Sequence, residues 1–424
     1  MRHARSQSSG SIAWLRSAWL LAVVSVLASE ARAIDPAGGK VRVSGFANVS
    51  AGGLPRDGDG GGGGFLPEVG VQVTPQWKTQ DRTVLAARVT LGGVGRVDGF
   101  GDEWTGAIRE LSVFAIGPFG RIEIGERAAF PQTLLGYAPA EIAFANAEYG
   151  PESGARLTPN GRLPTTFLAP TVGRRIDALT YLGYAARLYD NSSPKVIYVS
   201  PRKHGLYAGL SYAPRSIRAE GLEVASVGRR SERAPAAAAR AAADFENLLQ
   251  AALVWQKRTE SLDLTLGATY SHAQEEPPAS ANSRRRVDSL AAGVTATLHD
   301  TWEIGLSATY DGFSEALPGA SVREDPFGVV ASLNWIGGSW FAGGYYQFAT
   351  APADASASRS DRVHVAQLGA GYLIPSGHEL LGAGFHTDLK LYASAYYSRF
   401  ADGITRGAPR ADVVLLIGAR FSFY

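Results

Sequence analysis

The stretch GPFGRIEIGER, residues 117–127, carries Arg121, Glu123 and Arg127, with Ile122 and Ile124 between the first charges. In an extended chain alternate side chains leave on opposite faces. The isoleucines therefore define one face, and Arg121, Glu123 and Arg127 share the other. Arg42 in VRVSGFANVS and Arg88 in VLAARVTL take the polar faces of their segments by the same count. Opposed charges across a wet, narrow space set a transverse field that favours polar, oriented solutes over apolar ones, and rings of one sign tune ion preference. Glu141, Glu148 and Glu152 are the candidates for the opposing side. They share the long segment Ala128–Ser192 with Arg156, Arg162, Arg174 and Arg175. At each of these positions a solvated loop charge or an ordinary rim residue is the plainer alternative.

Bond-making chemistry finds little support. His204, His272, His299, His364, His378 and His386 fall mostly in turns or at segment ends, and no serine or aspartate pairs with them in the sequence. Nothing calls for the activated serine that a lipase working at a lipid boundary would need. DGDGGGGG, Asp57–Gly64, lacks both the spaced carboxylates of a calcium loop and the Gly-Lys-Ser/Thr of a phosphate loop. The chain has no cysteine, which removes disulfides and thiolate metal sites. No cofactor and no metal are expected.

The elements that must position these charges show a two-residue period. In SLDLTLGATY, Leu262, Leu264, Leu266, Ala268 and Tyr270 oppose Ser261, Asp263, Thr265, Gly267 and Thr269. DLKLYASAYYS sets Asp388, Lys390 and Ser394 against Leu389, Leu391 and Ala393 in the same way. Sixteen such segments are expected, starting at residue 40 and ending on IGARFSFY, residues 417–424. Most are close to the length that a tilted strand needs to cross a hydrocarbon layer. The connections alternate between short (TQD, GPF, PRKH, KRT, HD, GG, with LIPSGHELLGAGF the one overlong member) and long (Gly53–Leu66, Gly93–Glu103, Ala128–Ser192, Pro214–Phe245 and four more). A soluble sandwich has no reason to sort its loops by parity, whereas a barrel threaded through a membrane does. Trp77, Trp255, Trp302, Trp335 and Trp340 all lie near short turns, as one interfacial ring requires. In the terminal segment the face holding Val413, Leu415, Ile417, Phe421 and Phe423 is expected to meet lipid, in a strand that closes on the first.

Ahead of these segments, residues 1–33 read as an export signal. Arg2, Arg5 and Arg16 precede an apolar run from Ala18 to Ala28, and Ala31-Arg32-Ala33 forms a small-x-small cleavage site. Cleavage there lowers Lys+Arg from 41 to 37 and Asp+Glu from 39 to 38, a net charge of −1. A basic footprint for nucleic acid is therefore not expected.

Gly418-Ala419-Arg420-Phe421-Ser422-Phe423, GPFGRIEIGER, SPKVIYVSP (Ser193–Pro201) and GLYAGLSYAP (Gly205–Pro214) occur in an order that resembles the Gram-negative general porin family. The resemblance implies an all-β fold: a transmembrane, antiparallel, up-and-down barrel of about 16 strands over residues 34–424, with the long third loop folded into the lumen. It implies an outer-membrane, trimeric channel through which small hydrophilic solutes and ions diffuse passively, in contact with outer-membrane lipid. Arg42, Arg88, Arg121, Glu123, Arg127, Glu141, Glu148 and Glu152 are then the expected pore-lining or constriction residues. A channel specific for sugars or anions is the alternative; a lumenal line of aromatics, to which Tyr346, Tyr392 and Tyr396 would contribute, would favour it.

Overall fold

The computed structural model describes residues 39–53, 64–98, 101–127, 194–216, 222–223, 245–275, 286–310, 327–352, 360–376, 387–401 and 410–423. The expected signal segment, most of DGDGGGGG and nearly all of the third long connection lie outside them. Among the described residues every regular element is a strand.

In the first half these are β1 (Gly39–Gly53), β2 (Gly64–Lys78), β3 (Val84–Asp98), β4 (Gly101–Gly117), β5 (Gly120–Glu126), β6 (Pro194–Val199), β7 (Leu206–Ser216) and the two-residue β8 (Leu222–Glu223). The second half runs through β9 (Phe245–Arg258), β10 (Leu262–Glu275), β11 (Val287–Leu298), β12 (Trp302–Tyr310) and β13 (Phe327–Gly337). It continues with β14 (Trp340–Pro352), β15 (Ser360–Ser376), β16 (Thr387–Ala401) and β17 (Arg410–Phe423). Each strand other than β8 pairs antiparallel with its neighbours. β17 pairs with β1, Gly45 opposite Phe423 and Gly53 opposite Leu415, so the sheet closes into a sixteen-stranded ring. Closure joins the first and last strands, which would otherwise be free edges, a standing hazard of large open sheets.

The alternation read from the sequence becomes inside and outside, in the opposite sense to a water-soluble protein. β12 is the plainest case: Glu303, Ser307 and Thr309 are buried while Ile304 and Leu306 are exposed. Val113, Ile124 and Ile417 are 58, 55 and 63 % exposed, whereas Gln250, Ser271, Gln347 and Thr90 are almost wholly buried. A sheet with an apolar outer face and a polar inner layer is stable only where hydrocarbon surrounds it.

The short connections gather at one end of the ring. Thr79–Thr83, Pro118 and Phe119, Ser200–Gly205, Thr259–Ser261, His299–Thr301, and Gly338 with Ser339 all turn there. The five tryptophans sit at this end on outward-facing positions; Trp302 lies opposite Trp335, and Trp340 packs edge-on to Tyr372 at 4.9 Å. Amphipathic rings settle at such an interface. Gly337 makes room for one of them, because a Cβ there would collide with the Trp335 ring.

Three expectations change. The second long connection is not a loop from Gly93 to Glu103: the β3–β4 ladder continues through Gly93↔Gly106 to Asp98↔Gly101, leaving only residues 99–100 between the strands. Pairing satisfies main-chain groups that a loop would have to leave to water. Phe423 does not spread its ring into lipid. It is buried at 1 % exposure, over Gly45 and against Val43, Val71 and Phe421, while Val413, Leu415 and Ile417 do face outward. β8 was not foreseen. β5 stops at Glu126, opposite Leu111, and part of the β4 edge thus left open takes Leu222 and Glu223 opposite Ile108 and Ala107.

Candidate functional site

The charges of GPFGRIEIGER turn inward as the alternation requires. Ile122 and Ile124 are exposed on the outer wall, while Glu123 is 1 % and Arg127 5 % exposed. Glu123 accepts a hydrogen bond from Ser112 Oγ at 2.6 Å and an ion pair from Arg121 Nη2 at 2.7 Å, and it also takes Arg127 Nη1. Gly125 lets Arg127 fold back over the strand to reach it. Its φ is +145°, and a Cβ there would strike the Leu111 carbonyl oxygen, so glycine alone suits the position.

Neighbouring strands extend the cluster into a stair. Arg88 on β3 lies opposite Ser112 on β4, which lies opposite Gly125 on β5, which lies opposite Lys195 on β6. Glu110 sits 3.9 Å from Arg88 Nη1 and 3.8 Å from Arg127 Nε, and accepts from Thr90 Oγ1 at 3.3 Å. Lys195 Nζ donates to the Arg127 carbonyl oxygen at 2.6 Å. Phe114 serves as a shared platform, with the Arg121 guanidinium 4.1 Å and that of Arg88 5.4 Å from its centroid.

Of the residues expected from the sequence, Arg88, Arg121, Glu123 and Arg127 come together here. Arg42 stands apart: it shares the inward face of β1 with Ser44 and Asn48, opposite Thr74, and is exposed nearer the short-turn end. Glu141, Glu148 and Glu152 lie outside the described residues. Glu110, Phe114 and Lys195 were missed. IREL puts charges on both faces and so hides the register of Glu110. Lys195 shares its face with buried Ile197, which removes the polar contrast that would have marked it.

Two further side-chain sets bear on function. Tyr392 and Tyr396 face inward, whereas Tyr346 is 48 % exposed on the outer wall, with its hydroxyl 2.7 Å from His364 Nδ1. Tyr346 therefore drops out of the lumenal aromatic line, and Tyr345, buried and inward, takes its place. His272 does have an aspartate, contrary to the sequence reading. Its Nδ1 lies 2.8 Å from Asp288 Oδ1, on the outward parity of β10 and β11, and Tyr270 and Arg286 hold the same carboxylate at 2.6 and 2.7 Å. The pairing arises across the strands, from residues 16 apart in sequence. The serines flanking it, Ser271 and Ser289, are buried on the inward parity, so the hydroxyl beside the pair in these strands is the phenol of Tyr270 and not a serine.

A closed sixteen-stranded ring with an apolar outer face, a tryptophan girdle and a charged inner wall defines a channel-type barrel of the outer membrane. A profile of the Gram-negative porin family matches residues 18–390. The chain belongs to that family. A comparison with curated protein sequences gives no significant match. Among solved structures, OmpF of Salmonella typhi in complex with daunomycin aligns at 10% identity and a TM-score of 0.56, covering 91% of this chain and 98% of that one. The outer membrane channel DcaP of Acinetobacter baumannii aligns at 12% identity and 0.53, covering 92% and 98%. At such identities the likeness concerns the fold alone.

Proposed function

We propose that this protein is a passive diffusion channel: small hydrophilic solutes and ions cross the outer membrane through its lumen, and the inner-wall charges set which ions pass. The observation that carries this is the inverted layering, hydroxyls, amides and ion pairs facing in and aliphatic side chains facing out, around a complete ring. Sixteen strands make a barrel wide enough for an aqueous path. On this reading Arg88, Arg121, Glu123 and Arg127 line the narrow part, with Arg42 on the pore wall nearer the short turns, and Glu141, Glu148 and Glu152 of the third long connection oppose them. Residues 1–33 direct export and are removed, and the working unit is a homotrimer set in outer-membrane lipid.

Purified protein in planar lipid bilayers tests it. Stepwise conductance that rises in proportion to bulk salt is expected, and a correctly folded chain that never conducts would refute it. Arg121→Glu should move ion selectivity toward cations; unchanged selectivity would remove that residue from the narrow part.

A second reading, a channel specific for sugars, has one observation in its favour. Tyr345, Gln367 and Tyr396 stand in one register row on the inner wall, and the aromatic faces and amide together suit a sugar ring. Block of the ionic current by low concentrations of a disaccharide would favour it over general diffusion.

A further inference from the structure

The outer wall is apolar along most of its height, so the charged side chains on it mark where hydrocarbon ends. On β15 the outward positions run from Ile374 and Tyr372 through Ala370, Leu368 and Ala366 to His364 and then Arg362, which is exposed. On β16 they run from Leu391 through Ala393 and Ala395 to Tyr397 and the exposed Arg399. Both series finish in a guanidinium at the end of the barrel away from the short turns, the end that faces the outside of the cell in barrels of this kind. Arg362 lies ten residues along β15 from Tyr372, which packs on Trp340 of the tryptophan girdle. At about 3.4 Å per residue and a tilt of about 40°, that is about 26 Å of height, close to the ~25 Å apolar band of a membrane barrel. The guanidiniums therefore stand at the level of the outer headgroups.

Around them three strands assemble a layered patch. Phe348, His364 and Arg399 share one register row across β14, β15 and β16, and the next row toward the membrane middle is Tyr346, Ala366 and Tyr397. The Phe348 ring is 4.8 Å from that of His364 and 5.5 Å from that of Phe327, and the Tyr346 hydroxyl holds His364 Nδ1 at 2.7 Å, so the imidazole is fixed beside Arg399. The methyl of Ala366 makes a low point between two exposed tyrosines, and Leu368 stands out below it. Elsewhere on this rim an outward arginine is already engaged, since Arg286 lies 2.7 Å from Asp288. Arg399 makes no ion pair among the described residues, and its partners across the strands are His364 and Ala411.

A cation at headgroup level, above an aromatic row and an aliphatic wall, has its complement in a lipid that carries phosphate. The guanidinium fork matches two phosphate oxygens, the tyrosines suit the zone between acyl chain and headgroup, and the alanines beneath let a chain lie close to the wall. We infer that this patch, Arg362, His364 and Arg399 over Tyr346 and Tyr397, binds the phosphorylated headgroup of a glycolipid of the outer leaflet. The inference rests on the barrel's place in the outer membrane and not on what its lumen passes.

The experiment compares the full chain in vesicles of phosphatidylcholine alone, of phosphatidylcholine with diphosphoryl lipid A, and of phosphatidylcholine with the same glycolipid after its phosphates are removed. The reading is the temperature at which the folded, fast-migrating gel band is lost. The phosphorylated lipid should raise it by several degrees over the dephosphorylated one. Arg399→Gln should lose most of that rise and Arg362→Gln with Arg399→Gln nearly all of it, each keeping the wild-type midpoint in phosphatidylcholine alone. Arg286→Gln, on the same rim but paired to Asp288, should keep the rise. A wild type indifferent to the phosphates, or a rise that both Arg399 variants retain, overturns the inference. So does an equal rise from inorganic phosphate added to phosphatidylcholine vesicles, which would make the ligand a free anion, and so does a fall in oligomeric state in the variants without lipid A, which would give this face to a second copy of the chain. Any of these leaves the pore standing if unitary steps persist in planar bilayers, whereas a folded barrel that holds lipid A and never conducts sinks the pore reading alone.

Discussion

Glu123 takes Ser112, Arg121 and Arg127 at once, and it does so inside a layer where water has little access. Removing one member of a buried charge set leaves the others uncompensated, which costs more than the set itself contributes. Glu123→Gln keeps the shape and deletes the charge. It should lower barrel stability by about 3 kcal/mol, read as an earlier midpoint in urea unfolding in detergent, and it should raise anion preference in the same preparation. Gly125 belongs to the same calculation. Its φ of +145° is unfavourable for any residue with a Cβ, and that Cβ would meet the Leu111 carbonyl oxygen. Gly125→Ala should therefore cost roughly 1–3 kcal/mol and separate Arg127 from Glu123. An Ala variant with wild-type stability and selectivity would mean that the fold-back of Arg127 is not needed.

The turns show what an element demands of its residues. Between β2 and β3, Asp81 accepts from Thr79 Oγ1, from Thr83 Oγ1 at 2.9 Å and from the Thr83 amide at 3.4 Å, while Arg82 takes a left-handed φ of 67°. These hydrogen bonds favour the ionised carboxylate, with the Thr79 hydroxyl contributing most, and hold the Asp81 pKa below its ordinary 3.8. A depressed folded-state pKa gives stability that is complete above the unfolded value and disappears as pH falls through the folded one. The wild type should thus exceed Asp81→Asn in unfolding midpoint at neutral pH, with the gap closing only below about pH 3.8; a gap independent of pH would contradict the role of the charge. Strand number, closure and the tryptophan ring were legible in the sequence because a two-residue period and loop parity are local signals. Arg121 and Glu123 were legible because Ile122 and Ile124 pin their face. The β3–β4 extension was not, since glycines in GGVGRVDGFG look like loop until pairing uses their main-chain groups. Nor was the His272–Asp288 contact, because only the β10–β11 register brings the two together.

At the scale of the whole molecule, the inverted layering separates two worlds that strand count alone does not. Leu306 is midway along β12, outward and 48 % exposed, opposite Val294 and Ala331 on its neighbours. Were this wall bathed in water, Leu306→Arg would be harmless and would improve solubility, since an exposed leucine contributes little and a surface arginine is well hydrated. Within hydrocarbon the same change places a charge near the bilayer midplane, at a cost of about 2–4 kcal/mol for a barrel residue, depending on depth. Thr265, on the inward parity of β10 and only partly buried, is the internal control. Thr265→Lys should assemble into membranes at close to the wild-type yield and alter conductance, because a lumenal charge is hydrated. Leu306→Arg should lower the yield of folded, heat-modifiable barrel in lipid vesicles and leave the unitary conductance of the surviving channels unchanged. The opposite result, with Leu306→Arg tolerated and Thr265→Lys excluded, would turn the barrel inside out and remove the aqueous path, since it would place water on the aliphatic face and packing on the polar one.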